Sequence, residues 1–259
     1  MTDPLNTQVQ NYWEQETCGT GEEVAGDFEK YSPEWFKQVE ENRYQLEPYI
    51  HSVAQFTRHR GKKILEIGVG AGTDHLQWAR AGCECHGVDL TAAAIETAVK
   101  HLALYGLKSD LRHIDAEILP FEDASLDLVY SWGVIHHSEK PERIIAEIYR
   151  VLKPGGKFVG MLYNRYSVAV AKLWFQHGLL AGKPWRSFDN IAWNHIESIG
   201  TKVYTVKDIE RLFGDYTNVR AWSILCHSDT HRLPVWISQW LPDRWGFFSP
   251  IQGTKPGGE

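Results

Sequence analysis

A chain of 259 residues, 43% of them hydrophobic, can build one large α/β domain with appendages, or at most two small domains. Its formal net charge of −6 argues against a nucleic-acid-binding surface, because phosphate binding depends on clustered Lys and Arg. The four cysteines show no metal-ligand spacing, so we expect no metal site and reduced thiols in a cytoplasmic protein. The N-terminus does not resemble a signal peptide, and no apolar run is long enough to predict a transmembrane segment.

Residues 1–60 are predicted to be helical and to precede the core of the fold. Ser32 followed by Pro33 is typical of a helix start, with serine as the N-cap and proline in the first turn. Trp35 and Val39 then follow at helical spacing. We therefore expect a helical N-terminal cap over these residues.

A short apolar run at residues 64–67 leads directly into three alternating glycines, Gly68, Gly70 and Gly72. Such a run is typical of a buried parallel strand. Glycines directly after it allow a sharp turn and a close approach of the backbone to a ligand, because they carry no Cβ. A helix is predicted to follow, with its N-terminal amides facing that ligand. The pattern indicates a nucleotide-type cofactor loop.

Strands and helices continue to alternate as far as residue 165, which predicts a core over residues 61–165. The second strand ends in an acid at Asp89, a place where Rossmann-like folds use a carboxylate to bind ribose hydroxyls. The third strand ends near Asp115, and the fourth and fifth strands are predicted over 126–133 and 157–163.

Three segments of this core resemble those of the class I S-adenosylmethionine (SAM) dependent methyltransferases. Glu66 precedes the loop, so residues 66–72 read E-x-G-x-G-x-G like the family's motif I, and LPF and LKPGG follow at 119–121 and 152–156. The resemblance implies a Rossmann-like α/β fold, in which a seven-stranded, mostly parallel sheet carries helices on both faces. It also implies SAM as cofactor and S-adenosylhomocysteine as product. A dinucleotide loop would require Gly or Ala where Thr73 stands.

Residues 166–259 are expected to hold a substrate-side insertion, a helix and the antiparallel strand pair with which such a domain ends. Helices are predicted over 167–181 and from Thr205 onward, with an irregular stretch over 183–204 between them. Strands are predicted over 219–226 and 247–253. The aromatic segment 232–248 is expected to pack on the fold or to cover a pocket. Contact with a membrane surface is the less favoured alternative, because Arg232 and Arg244 are its only basic residues.

The resemblance implies cofactor contacts at the ends of the first four strands. Asp115 and the amide of Ala116 stand where the family holds the adenine. The cofactor contacts that it implies come from Glu66, Gly68, Gly70, Gly72, Thr73, Asp89, Leu90, Asp115, Ala116, Ser131 and Trp132.

An acceptor site is expected beyond the carboxyl ends of strands four and five, at the switch point of the sheet. A histidine suits a general base at neutral pH, but packing or cofactor contact is an open alternative for each one. The candidate catalytic residues are His136, His137, Tyr163 and His195, with Glu197 as a further candidate. The candidate acceptor-binding residues are Trp13, Tyr31, Asn164, Arg165 and Tyr204.

The resemblance implies methyl transfer to O, N, S or C of a small acceptor, and the aromatic flanks favour an apolar or aromatic one. Residues 131–134 lack the Asp/Asn-Pro-Pro-aromatic motif of enzymes that methylate nucleic-acid bases, so no nucleic-acid partner is expected. Two alternatives remain open: another SAM-dependent reaction on the same fold, such as intramolecular cyclisation, and a non-catalytic SAM-binding protein. An NAD(P) enzyme is less favoured.

Overall fold

A computed structural model describes residues 4–231 and 233–257 of the chain. Its centre is a seven-stranded sheet in the order β3-β2-β1-β4-β5-β7-β6. The strands are β1 Lys63–Ile67, β2 Glu84–Asp89, β3 Asp110–His113, β4 Leu126–Trp132, β5 Leu152–Tyr163, β6 Thr217–Ala221 and β7 Phe248–Thr254. The first five strands are parallel, and β7 pairs antiparallel with both β5 and β6. The predicted fold class and the predicted final strand pair are therefore confirmed.

Helices precede the sheet and connect its strands. They are α1 Pro4–Gln15, α2 Glu22–Ala25, α3 Pro33–Leu46, α4 Ile50–Ala54, α5 Thr73–Arg80, α6 Ala92–Leu104, α7 Pro141–Val151, α8 Val168–Trp174, α9 Phe188–His195, α10 Val206–Leu212, α11 His227–Thr230 and α12 Val235–Ser238. Helix α8 continues as a π-helix over Phe175–Leu179. The N-cap predicted before α3 is present, since the Ser32 hydroxyl accepts a hydrogen bond from the amide of Trp35.

Side chains of β1 alternate between two apolar cores, one on each face of the sheet. Ile64 packs in a core with Trp78 and Tyr130, whereas Leu65 and Ile67 pack in the core on the other face. Each of these three side chains is at most 1% exposed. This two-sided burial explains why the strand is a nearly continuous apolar run.

Two elements of the C-terminal region differ from their predictions. The stretch 183–204, predicted to be irregular, contains α9, because the Ser187 hydroxyl caps its first turn and Ile191 is fully buried. Strand β6 ends at Ala221 rather than near residue 226. Beyond it, only Ile224 pairs again with the sheet, as an isolated bridge to Phe248.

The aromatic segment 232–248 divides into a packed end and an exposed part. Phe247 is 6% exposed and packs in the core with Tyr163, as expected. Trp236 and Trp240, however, are 68% and 81% exposed, and helix α12 buries none of its residues. The expected packing or pocket cover is therefore absent from α12, while Arg232 lies outside the described residues. No helix in the described part of the chain has the length and apolar character needed to cross a bilayer.

Candidate functional site

A cavity of about 330 Å³ lies at the carboxyl ends of the central strands, beneath α1 and α3. This volume lies within the range of about 300–1,000 Å³ that is usual for small-molecule sites. At one end it is lined by Glu66, Gly68, Gly70, Thr73, Asp89, Leu90, Asp115 and Ala116. At the other end it is lined by Trp13, Cys18, Trp132, His137, Met161, Tyr163, Glu197 and Phe248, and Arg43 of α3 and its C-cap residue Glu47 line the wall between the two ends. The structure thus joins most of the predicted cofactor residues to a second, more aromatic region.

The glycine loop contributes to the cavity through Gly68 and Gly70, both with positive φ angles. A Cβ on Gly70 would meet no atom within 4 Å, so this position is open to the cavity. Gly72 has a different role, because a Cβ there would lie 2.9 Å from the backbone of Ala98 on α6. Gly72 therefore permits helix packing behind the loop and does not line the cavity.

Asp89 connects the glycine loop to the start of α6. One carboxylate oxygen accepts a hydrogen bond from the Gly70 amide (3.1 Å), and the other accepts from the amide and hydroxyl of Thr91. Burial raises the pKa of Asp89 above its usual range, and these hydrogen bonds oppose the rise. The carboxylate thus fixes the loop and still lines the cavity.

Helix α1 covers the cavity and is held by polar contacts near the end lined by Asp115. The Asn6 amide donates to Asp115 (2.9 Å) and to Glu117 (2.7 Å). Glu14 stands eight residues after Asn6 on the same helix. Its carboxylate accepts hydrogen bonds from the backbone amides of Ala92 and Ala93 in the first turn of α6. Trp13 projects into the cavity from this helix and packs edge-on against the ring of His137.

Glu66 and His75 form a fully buried polar pair behind the loop. Nδ1 of His75 lies 3.0 Å from Oε2 of Glu66, and Nε2 lies 2.8 Å from Oγ of Ser109. The Ser109 hydroxyl donates to the carbonyl of Cys85, so its oxygen accepts the Nε2 proton of His75. Burial lowers the pKa of His75 to about 4 and raises that of Glu66 well above its usual range. The two side chains are thus a neutral carboxylic acid and a neutral imidazole.

Arg43 of α3 contacts two acids that come from different parts of the chain. One guanidinium nitrogen donates to Glu47 (2.7 Å), and another donates to Asp74 in the first turn of α5 (3.0 Å). Asp74 also accepts from the hydroxyl of Tyr130 (2.8 Å), and Glu47 accepts from the indole of Trp132 (2.7 Å). This network ties the cap to the cofactor loop and places one cation at the centre of the cavity wall.

Three polar side chains meet where β5 ends. The Tyr163 hydroxyl donates to Oε2 of Glu197 (2.9 Å), and Nε2 of His137 lies 3.2 Å from the same oxygen. The other ring nitrogen of His137 is 3.0 Å from the hydroxyls of both Ser198 and Thr201. Glu197 has a positive φ of 50°, a strained conformation for a non-glycine residue, and its side chain faces the cavity. The turn after α9 thus presents a carboxylate to the aromatic end of the cavity, which we call the acceptor end.

The family model described as "Methyltransferase domain" matches residues 65–160. Residues 65–160 are a methyltransferase domain. The ubiquinone biosynthesis O-methyltransferase of Maricaulis maris is 37% identical over 112 residues, which are 43% of this chain and 44% of that one. The chain therefore spans about half the length of this curated relative.

Solved structures extend the likeness of the fold beyond the methyltransferase domain. The geranyl diphosphate C-methyltransferase of Streptomyces coelicolor A3(2) is 15% identical, with a TM-score of 0.61, and the match covers 99% of each chain. The 4+2 cyclase SpnF is 16% identical, with a TM-score of 0.63, and the match covers 100% of this chain and 98% of that one. These matches show a common class I methyltransferase fold that includes the helical cap.

Two predicted site residues lie beneath the cavity of the methyltransferase domain rather than at its wall. Ser131 is fully buried and donates to the carbonyl of Ile67, so it ties β4 to β1. His136 is also fully buried and stacks on Tyr163 with ring centroids 3.8 Å apart, and neither of its ring nitrogens has a hydrogen-bond partner among the described residues. Burial holds the pKa of His136 well below its usual range. The structure therefore separates His136 from His137, which does line the cavity.

His195 and Tyr31, also predicted at the site, lie outside the cavity. His195 stacks on His177 with ring centroids 4.0 Å apart, where α9 meets the π-helix. Tyr31 packs edge-on against Trp35, and the ammonium of Lys100 lies 3.7 Å from its ring centroid. Both rings have structural partners where the sequence suggested a catalytic or acceptor-binding role.

Asn164, Arg165 and Tyr204 hold the backbone after β5 in place. The Asn164 amide donates to the carbonyls of Arg244 and Gly246. Arg165 pairs with acids on α9 and α10, and its backbone amide donates to the Tyr204 carbonyl. None of the three lines the cavity. Strand β5 ends at Tyr163, which is the last residue of that strand and lines the cavity.

Arg43, Asp74, Glu47 and Asn6 are site residues that sequence reasoning missed. Arg43 and Glu47 stand four residues apart on a predicted helix, a spacing that indicates a local ion pair. Nothing in the sequence connects this pair to Asp74, because the contact forms only when the cap folds onto the loop. Asn6 could not be identified as a site residue from the sequence, since a single asparagine in a helix near a chain terminus is common.

Proposed function

We propose that this protein is a SAM-dependent methyltransferase that acts on a small apolar or aromatic acceptor. The observation that carries the proposal is one continuous cavity that runs from the glycine loop, Asp89 and Asp115 to an aromatic region around Tyr163. Cofactor and acceptor must meet within about 3–3.5 Å for in-line transfer, and a single cavity with both regions allows this. The methyltransferase domain supports the same reaction class.

The residues at the loop end fit the cofactor. Gly70 leaves open space that a side chain would fill, and the carboxylates of Asp89 and Asp115 both line the cavity. Carboxylates accept hydrogen bonds from ribose hydroxyls and from an exocyclic amine. The guanidinium of Arg43 supplies the cation for the carboxylate of an amino-acid group. The related geranyl diphosphate enzyme was solved with S-adenosyl-L-homocysteine.

When bound, SAM supplies an activated methyl group on its sulfonium. The chain's own residues then have to orient the acceptor, exclude water and remove a proton where the acceptor carries one. Trp13, Trp132 and Phe248 give the acceptor end its aromatic surface. Aromatic side chains of this kind orient flat apolar molecules and displace water.

Glu197 is proposed as the group that accepts the acceptor's proton. Its carboxylate faces the cavity and lies within 3.2 Å of both the Tyr163 hydroxyl and Nε2 of His137. Burial and the neighbouring carboxylate hold the pKa of Tyr163 well above its usual range, so the phenol stays protonated and donates to Glu197. His137, whose Nδ1 is held by Ser198 and Thr201, lies beside this carboxylate, and its ring would have to turn for Nε2 to take the proton, because that nitrogen makes no hydrogen bond among the described residues.

A different SAM-dependent reaction on this fold is the second candidate function. The observation that favours it is the full-length structural match to the cyclase SpnF. A non-catalytic SAM-binding role is less favoured, because polar groups suited to proton transfer line the acceptor end. A cytoplasmic location and the absence of a nucleic-acid partner belong to the same proposal. The four free cysteines and the acidic net charge support them.

The test begins with calorimetric titration of the purified chain with SAM, S-adenosylhomocysteine and NAD, followed by an acceptor screen. We expect binding of both adenosyl compounds and none of NAD. Formation of S-adenosylhomocysteine together with a methylated acceptor would support methyl transfer, whereas another product without methyl loss would favour the second candidate. Binding of NAD alone would overturn the cofactor assignment.

A further inference from the structure

A group of large apolar side chains is exposed on the C-terminal half of the molecule, away from the cavity. Leu180, Trp185, Val235, Trp236 and Trp240, which we call the aromatic surface, are 69%, 77%, 78%, 68% and 81% exposed. Single exposed apolar residues need no explanation, but a dense set with three tryptophans indicates an interaction site. None of these five residues lines the cavity of the proposed active site.

The segments that carry the aromatic surface are anchored next to each other. The Lys172 ammonium on α8 donates to the carbonyls of Ser228, Asp229 and His231, which connects α8 to the chain leading into α12. Leu180 and Trp245, one from each segment, line the same apolar groove. The two exposed segments therefore form one face of the molecule.

The base of this face is held together by hydrogen bonds to one buried carboxylate. The fully buried carboxylate of Asp229 accepts hydrogen bonds from the amides of Ala169, Cys226 and Phe247. These bonds tie α8, α11 and the start of β7 together. Helix α12 extends from this base between Pro234 and Pro242 without burying any residue of its own.

Charge distinguishes this face from the rest of the chain. Residues 165–188 and 230–246 contain six Lys or Arg and one Asp, although Asp and Glu outnumber Lys and Arg in the whole sequence. Arg165 is paired with Asp189 and Asp208, and Arg232 lies outside the described residues. Lys183 and Arg244 belong to the same two segments as the apolar tips and are exposed, as are the acids Asp189 and Asp243. The face thus combines exposed tryptophans with excess positive charge.

We infer that the aromatic surface docks the protein onto a lipid bilayer that contains anionic lipids. Tryptophan side chains partition to the headgroup boundary of a bilayer, and Lys and Arg are attracted to anionic headgroups. The charge of the face complements such a membrane. Docking of this kind is peripheral, since only side chains of α12 and of the loop after the π-helix enter the boundary.

The test is flotation of the full chain with two kinds of vesicle, one of phosphatidylcholine alone and one of phosphatidylcholine and phosphatidylglycerol in equal parts. We expect binding to the anionic vesicles, weaker binding to the neutral ones, and loss of binding as salt is raised. The double variant Trp236→Ser/Trp240→Ser should reduce binding at least about tenfold. Lys183→Glu/Arg244→Glu should reduce binding to the anionic vesicles by a similar factor and bring it to the level of the neutral ones.

The matched control is Val99→Ser/Leu104→Ser, which removes two exposed apolar side chains from α6 and should leave vesicle binding unchanged. An unchanged urea midpoint shows that each variant is folded without reference to the cofactor, so a failure of this inference is separate from a failure of the proposed function. Absence of binding to anionic vesicles, or equal binding by the tryptophan double variant, overturns it. Self-association that the tryptophan double variant abolishes, without vesicle binding, would assign the surface to a second copy of the chain.

Discussion

Oε2 of Glu66 lies 3.0 Å from Nδ1 of His75, in a position where both side chains are at most 3% exposed. A buried carboxylate and a buried imidazolium would each lose their hydration, so the pair is neutral and holds one proton. Glu66 is the acid of the motif that suggested the cofactor loop. Its direct contact within the protein is with the histidine behind the loop.

The one-proton pair predicts a specific dependence of stability on pH. The folded pair keeps one proton between about pH 4, the pKa of His75, and the raised pKa of Glu66. The unfolded chain carries two protons on these groups below pH 4.5, one between 4.5 and 6.5, and none above 6.5. The pair's contribution to the free energy of unfolding is therefore constant from pH 4.5 to pH 6.5. It falls below pH 4.5, and above pH 6.5 it falls by about 1.4 kcal/mol for each pH unit until Glu66 titrates.

Glu66→Gln tests this dependence, because its amide can donate to His75 but cannot titrate. In the variant only His75 titrates, so the stability contribution rises to pH 6.5 and is then constant. Urea unfolding of both proteins from pH 6.5 upward should show a decline in the wild type that the variant lacks. Parallel profiles would contradict the neutral pair.

Asp89→Ala should weaken binding of S-adenosylhomocysteine by about 1–3 kcal/mol. The change removes the carboxylate proposed for the ribose and also the bond that fixes Gly70. Calorimetry on Asp89→Asn separates the two effects, because the single side-chain oxygen of asparagine can keep the bond from Gly70, although its NH2 group cannot accept from Thr91. Unchanged affinity in Asp89→Ala would contradict the ribose assignment.

Glu197→Gln should reduce turnover by about 10²–10⁴-fold and leave the affinity for S-adenosylhomocysteine unchanged. Glutamine keeps the shape of the side chain and can accept from Tyr163, but it cannot take a proton. Single-turnover kinetics with the acceptor found in the screen measure the step directly. Glu210→Gln on α10, an exposed position outside the cavity, is the matched control. Full activity of Glu197→Gln would remove the proposed base.

Tyr163→Phe should have a smaller effect on turnover, about tenfold, because it removes the hydrogen bond that orients Glu197 but leaves the carboxylate. His137→Ala should reduce turnover when the acceptor must lose a proton. His136→Ala should instead lower the free energy of unfolding, because that ring is buried against Tyr163. Equal activity losses without a stability change in both histidine variants would contradict this division.

Arg43→Met should lower the free energy of unfolding by about 3 kcal/mol, because Glu47 and Asp74 would lose their shared cation. Arg43→Lys retains the charge but lacks the planar guanidinium group that donates to both acids. We therefore expect an intermediate decrease in the free energy of unfolding. Urea unfolding measures both variants. A loss below about 1 kcal/mol in Arg43→Met would show that the network contributes little to stability.

The core of the fold was predictable because its signals are local. The apolar run of β1, the glycines after it and the acid at Asp89 each follow from short-range geometry, and parallel strands place their carboxyl ends at one edge. For the same reason Gly70, Asp115, Trp132 and most of the other strand-end residues named from the resemblance line the cavity, with Gly72 and Ser131 as the exceptions. Their roles in binding stay predictions.

The acceptor end was less predictable because its residues come from elements without a common pattern. Ser131 stands at the correct strand end, but the alternation of side chains along β4 turns it into the interior. His136 lies in a short 3-10 helix after β4, which buries its ring against Tyr163. Cys18 and Glu197 belong to turns whose positions depend on how the cap and α9 pack. The exposure of Trp236 and Trp240 could not be predicted either, since an apolar sequence by itself suggests burial.

Helix α1 contacts both halves of the cavity, and this has a kinetic consequence. Asn6 is bonded to Asp115 at the loop end, while Trp13 forms part of the acceptor end only when the helix is in place. A cofactor that binds at the loop end and stabilises the position of α1 therefore also places Trp13 in the wall of the acceptor end. We expect a compulsory order of addition with the cofactor first, so that S-adenosylhomocysteine inhibits competitively against SAM and non-competitively against the acceptor.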